Sequence, residues 1–323
     1  VAHHPMFSQG YDHGVPLFLA DYVTTEQGTG FVHIAPGHGP EDYALAHLQH
    51  GVEVPDTVGE DGLIAENLPL FGGMHVLRDN QKIADIMNEY GGLLGIGTLV
   101  HSYPHSWRSH APVIYRNAAQ WFVSMGDEHV DGTGLRSVAL DALQNTDFYP
   151  VSGQKRLISM IENRPDWCLS RQRAWGVPIP VFYHKQTGEP LRDQAVVDRI
   201  VSAFAEEGCD VWFTSPAARF LGADYNEADY IQVKDIADVW FDSGSTHAFV
   251  LETREDLQSP ADLYLEGSDQ HRGWFHSSLL ESCGTRGQAP YKGVLTHGFV
   301  LDEQGRKMSK SLGNVVAPQK IIQ

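Results

Sequence analysis

Apolar positions recur with a helical period in several segments of this chain. Between Asp79 and Gly92, Ile83, Ile86, Met87 and Tyr90 fall at i, i+3, i+4 and i+7. That spacing predicts a helix, with Asp79 as its cap and Gly91-Gly92 as its end. A second helix is predicted over 193–207, with Val197, Ile200, Val201 and Phe204 on one face and Gly208 as the stop. A third is predicted over 273–283, after the strand-like Leu263-Tyr264-Leu265 and a short polar turn. Residues 293–300 read as a buried strand, followed by a glycine- and lysine-rich loop. Upstream, 15–19 and 30–34 read as short β segments punctuated by Gly and Pro.

Strand, turn, helix, strand and loop in succession are the grammar of a parallel α/β sheet, whose ligands sit beyond the carboxyl ends of the strands. The N-terminal third reads differently. Two regions are therefore expected, with a boundary between residues 105 and 155. The longest apolar runs fall well short of the ~20 residues that span a bilayer. The 323 residues carry a formal net charge of −18, with 42% apolar and 20% charged residues, a globular composition. Such acidity argues against sequence-independent polyanion binding. Basic residues nonetheless cluster at Arg171/Arg173 and at Arg306/Lys307/Lys310. Three cysteines are too few and too scattered for a disulfide scaffold, which fits a reducing, cytoplasmic location. The chain opens on Val1 and stops in an apolar segment at Gln323, so an internal fragment is expected.

The sharpest chemistry lies in Lys307-Met308-Ser309-Lys310-Ser311, followed by Leu312-Gly313-Asn314. Ammonium groups there can neutralise charge developing on phosphate oxygens, and hydroxyls can donate to them. A lysine-rich loop is commonly just a solvated surface. Here it follows the strand ending Thr296-His297-Gly298-Phe299-Val300, which favours a ligand role. A second string, Glu266-Gly267-Ser268-Asp269-Gln270-His271-Arg272-Gly273-Trp274-Phe275, spans a strand-to-helix turn. Glycine lets backbone amides approach a ligand there, and carboxylates can bind ammonium or ribose hydroxyls. A third, 28–43, gathers His33, His38, Glu41 and Asp42 among glycines, a poor match to zinc spacing.

These strings resemble the signatures of class I aminoacyl-tRNA synthetases, and Glu266–Phe275 and Asp238–Ser245 resemble the isoleucine-specific branch. The segment Trp167-Cys168-Leu169-Ser170-Arg171-Gln172-Arg173-Ala174-Trp175-Gly176 is similar to one shared by the isoleucine, valine and leucine enzymes. The resemblance covers about 28–314. It implies an α/β fold: the second half of a Rossmann-like catalytic domain plus part of a β-rich editing domain. The editing part is expected over 1–105 and a connection over 106–155. The catalytic half is expected over 156–311, with an insertion at about 185–235, and a linker toward a helical anticodon-binding region over 312–323.

By the same resemblance Lys307, Lys310, Ser309 and Ser311 are catalytic, with Lys310 foremost. Glu266, Gly267, Asp269, Gln270 and Lys310 hold ATP and the adenylate. Trp175 and Trp274 wall the isoleucine pocket, although Trp274 alone reads as an ordinary core indole and the arginines of the Trp167 segment can equally hold a strand turn. Asp42 grips the ammonium of a misacylated residue by charge-assisted hydrogen bonding, with His33 beside it. Editing is the expected answer to the weak discrimination, ~1–3 kcal/mol, that one methylene offers an apolar pocket; the isoleucine enzyme is the standard instance of that rule. Water is the expected nucleophile. The implied substrates and partners are ATP with Mg²⁺, isoleucine and tRNA(Ile), and the expected state is a monomer. Some relatives carry zinc-binding cysteines where this chain has Ser106 and Ser109, so no zinc is expected there. The family's HIGH signature lies upstream and is absent, so the 323 residues alone are expected to be inactive. The competing readings are a valine or leucine enzyme, a freestanding deacylase of mischarged tRNA, and a non-catalytic binding relic.

Overall fold

The computed structural model describes residues 1–26, 28–106, 109–126 and 134–322, and the chain divides into two units at Ala119/Gln120. In the first unit, β1 (Ala2–His3) pairs antiparallel with β2 (Gly14–Val15). Helix α1 (Pro40–Tyr43) starts with proline in its first turn, where a missing N–H costs nothing, and runs on into a wider π turn at Ala44–Gln49. Helix α2 (Asn80–Glu89) follows a turn that Asp79 ties down. Its carboxylate accepts the His75 amide at 2.9 Å and meets Lys82 at 2.8 Å instead of capping the helix.

The β segments expected at 15–19 and 30–34 are not strands beyond Val15. Pro16 removes a ladder donor, and Gly28 and Gly30 turn the chain through φ of 63° and 75°. Leu19 is 96% exposed, so the apolar residues there do not mark a core. Among the described residues of this unit, the buried apolar ones are Met6, Leu45 and Ala46. In the segment without cysteines, the Ser106 and Ser109 hydroxyls accept turn amides from Ser109 and Ala111, at 3.3 and 3.4 Å. Trp107 and Arg108 of that segment lie outside the described residues.

The second unit is organised around a parallel sheet. Helix α3 (Leu135–Gln144) leads into β4 (Asp147–Tyr149) and α4 (Ser152–Glu162). The span expected as a connection thus contains an edge strand of the sheet. Two short antiparallel ladders follow: β3 (Phe122–Val123) with β5 (Trp167–Cys168), and β6 (Ser170–Arg171) with β9 (Ile236–Ala237). Between them, β7 (Phe182–His184) and β8 (Tyr230–Gln232) pair and close off an excursion holding α5 (Gln194–Glu207), α6 (Val211–Thr214) and α7 (Ala217–Leu221). That excursion has its own core of Phe182, Val196, Ile200, Trp212 and Phe220. Asp193 caps α5 by accepting the Ala195 amide at 2.8 Å. The buried face of α5 is Val196, Ile200 and Ala203, not the expected one: Val197 and Val201 are exposed, because the helix is rotated about one position from the stripe read in sequence.

After α8 (Val239–Gly244), β10 (Tyr264–Gly267) enters the sheet, α9 (Trp274–Arg286) crosses it, and β11 (Gly293–His297) returns parallel. The order is β10-β11-β4, with Tyr264 opposite Val294 and Gly267 opposite His297. The main core packs Leu143, Leu157, Ile161, Phe275, Leu279 and Val294 between sheet and helices. Helix α9 is buried on nearly every side, with its serines absorbed by bonds such as Ser278 Oγ to the Trp274 carbonyl, 2.5 Å. The last element among the described residues is α10 (Gln319–Ile322). No helix among the described residues is long and apolar enough to cross a membrane.

Candidate active site

The register of β10 and β11 brings the two strongest strings to one edge. Gly267 and His297 are partners at the carboxyl ends of adjacent parallel strands. The turn 268–272 leaves from one end and the lysine loop from the other. Ligands of open parallel sheets bind at such an edge.

The turn is built by side chains folding back on it. A Cβ on Gly267 would come within 2.6 Å of Asp269 Oδ1, so glycine makes room for that carboxylate. Gln270 Oε1 accepts the Trp274 amide at 3.1 Å and satisfies one of the free donors of the α9 N-terminus. Gln270 Nε2 reaches Asp269 Oδ2 at 3.4 Å. Glu266 and Asp269 are exposed. His271 Nδ1 donates to the Ser268 carbonyl at 2.7 Å, and its far nitrogen lies where a Cβ on Gly153 would be only 3.0 Å away. The first turn of α4 thus backs the site turn directly.

Trp274 stacks face to face on Tyr264 at 4.1 Å, and its indole N–H donates to the Ser243 carbonyl at 2.9 Å. Trp240 lies against Gly273, where a Cβ would sit 2.9 Å from its ring. Trp240 therefore joins Gln270 and Trp274. Trp175 is 89% exposed on a loop held from behind by Ile236, which leaves no room for a Cβ on Gly176. The Trp175 loop contributes no packed wall beside Trp274. Sequence reasoning passed over Trp240. The glycine at 273 is no signal for it, since Gln270 Oε1, at 2.6 Å, lies closer to a Cβ there than the Trp240 ring.

Arg171 joins the Trp167 and Asp238 segments. It meets Asp238 Oδ2 at 2.8 Å and donates to the Cys168 and Ser170 carbonyls at 2.8 Å. Asp238 also accepts from the Trp167 indole and caps α8 through the Trp240 amide, both at 3.2 Å. This arginine holds a turn.

The lysine loop is a hairpin with a polar clasp. Leu301 bridges Lys307, and Met308 N donates to the Val300 carbonyl at 3.0 Å. Asp302 accepts the Gln304 and Arg306 amides and the Asn314 amide group, at 3.0, 2.8 and 2.8 Å. The Asn314 hydrogen bond, then that of Arg306, hold its carboxyl below the ordinary range. Asn314 Oδ1 in turn accepts the Ser309 amide at 2.9 Å. Ser309 and Ser311 hydroxyls lie 3.2 Å apart. Lys307 rests its ammonium 3.6 Å from the Phe299 ring centroid, a cation–π contact. Lys310 is exposed. Asp302 and Asn314 were not singled out in the sequence, although Asp302 and Gly305 bracket a turn of hairpin type.

In the first unit, Asp42 Oδ2 accepts the Ala35 amide at 2.8 Å, which leaves Oδ1 for another donor. His33 is exposed, and its charge helps depress the His4 imidazole, after burial and His13.

The family model for tRNA synthetases class I (I, L, M and V) matches residues 21–323. The isoleucine–tRNA ligase of Pelagibacter ubique is 56% identical over the whole chain, which spans 35% of that protein. That of Gluconobacter oxydans is 55% identical over the whole chain, which spans 34% of it. The chain therefore spans about a third of the length of these curated relatives. A solved methionyl-tRNA synthetase from Mycobacterium tuberculosis, bound by methionyl-adenylate, overlaps 69% of this chain and 34% of its own at 19% identity and a TM-score of 0.38, too low to add to the assignment. The 323 residues belong to the class I tRNA synthetases of the isoleucine, leucine, methionine and valine group.

Proposed function

We propose that these residues supply the adenylate-side half of a centre that joins isoleucine to tRNA(Ile) at the expense of ATP. The observation that carries this reading is the Gly267–His297 register, which sends the Glu266–Gln270 turn and the Lys307–Ser311 loop off one sheet edge. In the first step an isoleucine carboxylate oxygen attacks the α-phosphorus of ATP. The bond from that phosphorus to its bridging oxygen breaks, and pyrophosphate leaves with the electron pair. Lys307 and Lys310 balance the charge on the phosphate oxygens, and Ser309 and Ser311 donate hydrogen bonds to them. Lys307 has to leave Phe299 to do so. Magnesium arrives with the ATP phosphates. Glu266, Gly267, Asp269 and Gln270 hold the adenylate's ribose and the amino-acid ammonium. Trp274 and Trp240 supply apolar walls for the side chain, with Trp175 available from its exposed loop. In the second step a ribose hydroxyl at the tRNA 3′ end attacks the acyl carbon, AMP leaves, and the hydroxyl proton passes to solvent.

Asp42 Oδ1 is the acceptor for the ammonium of a mischarged valyl group, with His33 near it and water as the nucleophile for hydrolysis. The 323 residues alone do not complete either centre. The reaction takes place in the cytoplasm, on a monomer. Isoleucine-dependent exchange of pyrophosphate into ATP by the full-length protein tests the reading. Exchange with valine or leucine in preference to isoleucine, or none at all, would refute it. Deacylation of valyl-tRNA(Ile) by an Asp42→Ala variant tests the editing part: accumulation of mischarged tRNA is expected, and unchanged hydrolysis counts against Asp42.

A further inference from the structure

A cavity of about 560 Å³ opens on the α4 side of the site turn, lined among others by Arg156, Arg164, Arg272, His276, Met160 and Pro165. It collects positive charge in a chain whose formal net charge is −18. None of the ion pairs among the described residues uses Arg156, Arg164 or Arg272. His276, in the first turn of α9, is only 5% exposed, yet neither ring nitrogen has a hydrogen-bond partner of good geometry. Arg164 Nε is likewise buried without one. Buried polar groups left open this way are uncommon and point to an absent partner.

We propose that this cavity is a second binding site, for a phosphate-bearing nucleotide unit. Guanidinium groups are the preferred side chains for phosphate, because their planar fork matches its oxygens. Burial, reinforced by the Arg164 and Arg272 charges and opposed by the His271 carbonyl, drives the His276 imidazole down to about 3, so the ring stays neutral. A neutral ring offers one donor and one acceptor, which suits a ribose hydroxyl or a base edge more than a bare phosphate. Met160 and Pro165 add apolar wall for the sugar or base. The ligand is therefore a nucleotide, either free or within an RNA chain. Assigning it to tRNA rests on the proposed function; the site itself does not.

The test uses the full-length protein, as wild type and as the variants R156A and R156A/R272A. Arg156 and Arg272 are exposed, and Arg156 stands outside the adenylate machinery. Binding of labelled tRNA is measured from low to moderate salt, and AMP and inorganic phosphate are tested as competitors. Each phosphate contact contributes roughly 0.7–0.9 to the slope of log affinity against log salt. The double variant is expected to lose roughly 1.4–1.8 from that slope, and R156A half as much. A slope unchanged in the variants, with AMP binding to wild type that the variants lose, assigns the site to free nucleotide. An unchanged slope with no variant-sensitive AMP binding overturns the proposal, as does binding of phosphate alone. Pyrophosphate exchange needs no tRNA and is expected to be unchanged in R156A. A wild type lacking exchange, yet showing the slope change, sinks the functional reading and leaves this site standing.

Discussion

The two units hold their functional residues by different means. In the second, several candidate positions are fixed by partners distant in sequence. Gly267 is paired with His297, Arg171 with Asp238 and Trp274 with Ser243, and Trp274 packs against the main core. In the first, Asp42 is tied to Ala35, seven residues away, and the buried apolar set is short. Local ties fix a loop's shape, whereas long-range packing fixes where one loop stands against another. The proposed ATP chemistry needs the second kind of order, because the turn at 266–270 and the loop at 307–311 would have to meet one phosphate chain.

The largest effect that sharpens this comparison is chemical. Lys310→Ala should lower isoleucine-dependent pyrophosphate exchange by about 10²–10³-fold, the usual cost of losing one preorganised charge-stabilising group. Thermal stability should stay within about 0.5 kcal/mol, since Lys310 is an exposed side chain. A loss of folding in step with activity would show that the loop is structural.

Next comes packing. A Cβ on Gly244 would run into Glu281 Oε1 and stand 3.1 Å from the Ser277 backbone, so α8 meets α9 only because residue 244 is glycine. Gly244→Ala should destabilise the second unit by about 2–3 kcal/mol in urea titration. Gly95→Ala in the first unit meets nothing within 4 Å and should cost less than about 0.5 kcal/mol. Equal effects would erase the contrast between the units.

A third prediction follows from Glu281, whose carboxyl is pushed up to about 9 by burial and by the neighbouring Asp242. One of its oxygens is buried without a partner. The folded state then binds a proton that the unfolded state releases above its ordinary value of 4.5. Stability should fall as pH rises from about 4.5 toward 9. Glu281→Gln, which copies the neutral form, should raise stability at pH 8 by roughly 1–3 kcal/mol and change little at pH 4. A variant less stable at pH 8 would mean that the carboxylate is ionised and paired.

The smallest expected effect concerns the clasp of the lysine loop. Asn314→Ala removes the bonds to Asp302, Lys307 and Ser309, and should reduce exchange about tenfold or less while raising proteolysis of 300–314. Asp302 is held low in the folded loop, so its contribution is present at neutral pH and is lost as pH falls below about 4. Protease nicking should therefore rise in acid for wild type and not for Asp302→Asn.

Much of this was legible in the sequence. Helices over 79–92, 193–207 and 273–283, and the strand–turn–helix–strand order around them, are present with shifted ends. The face of α5 was not legible, because Val196 and Val197 are equally apolar and only packing against Phe182 and Trp212 selects between them. The segments at 15–19 and 30–34 misled for a related reason: a short apolar run between Gly and Pro becomes a strand only where a partner strand accepts its ladder. Within the site, motif residues were readable as letters, but their supports were not. Trp240 against Gly273, Gly153 beneath His271, and the Asp302–Asn314 clasp depend on contacts that spacing does not encode.

The most direct test of the central claim is pyrophosphate exchange by the full-length protein, wild type beside Lys310→Ala, with isoleucine, valine and leucine supplied separately. Exchange should be fastest with isoleucine and fall at least a hundredfold in the variant, about 2.7 kcal/mol. Exchange indifferent to the amino acid, or undiminished by loss of Lys310, would contradict that claim.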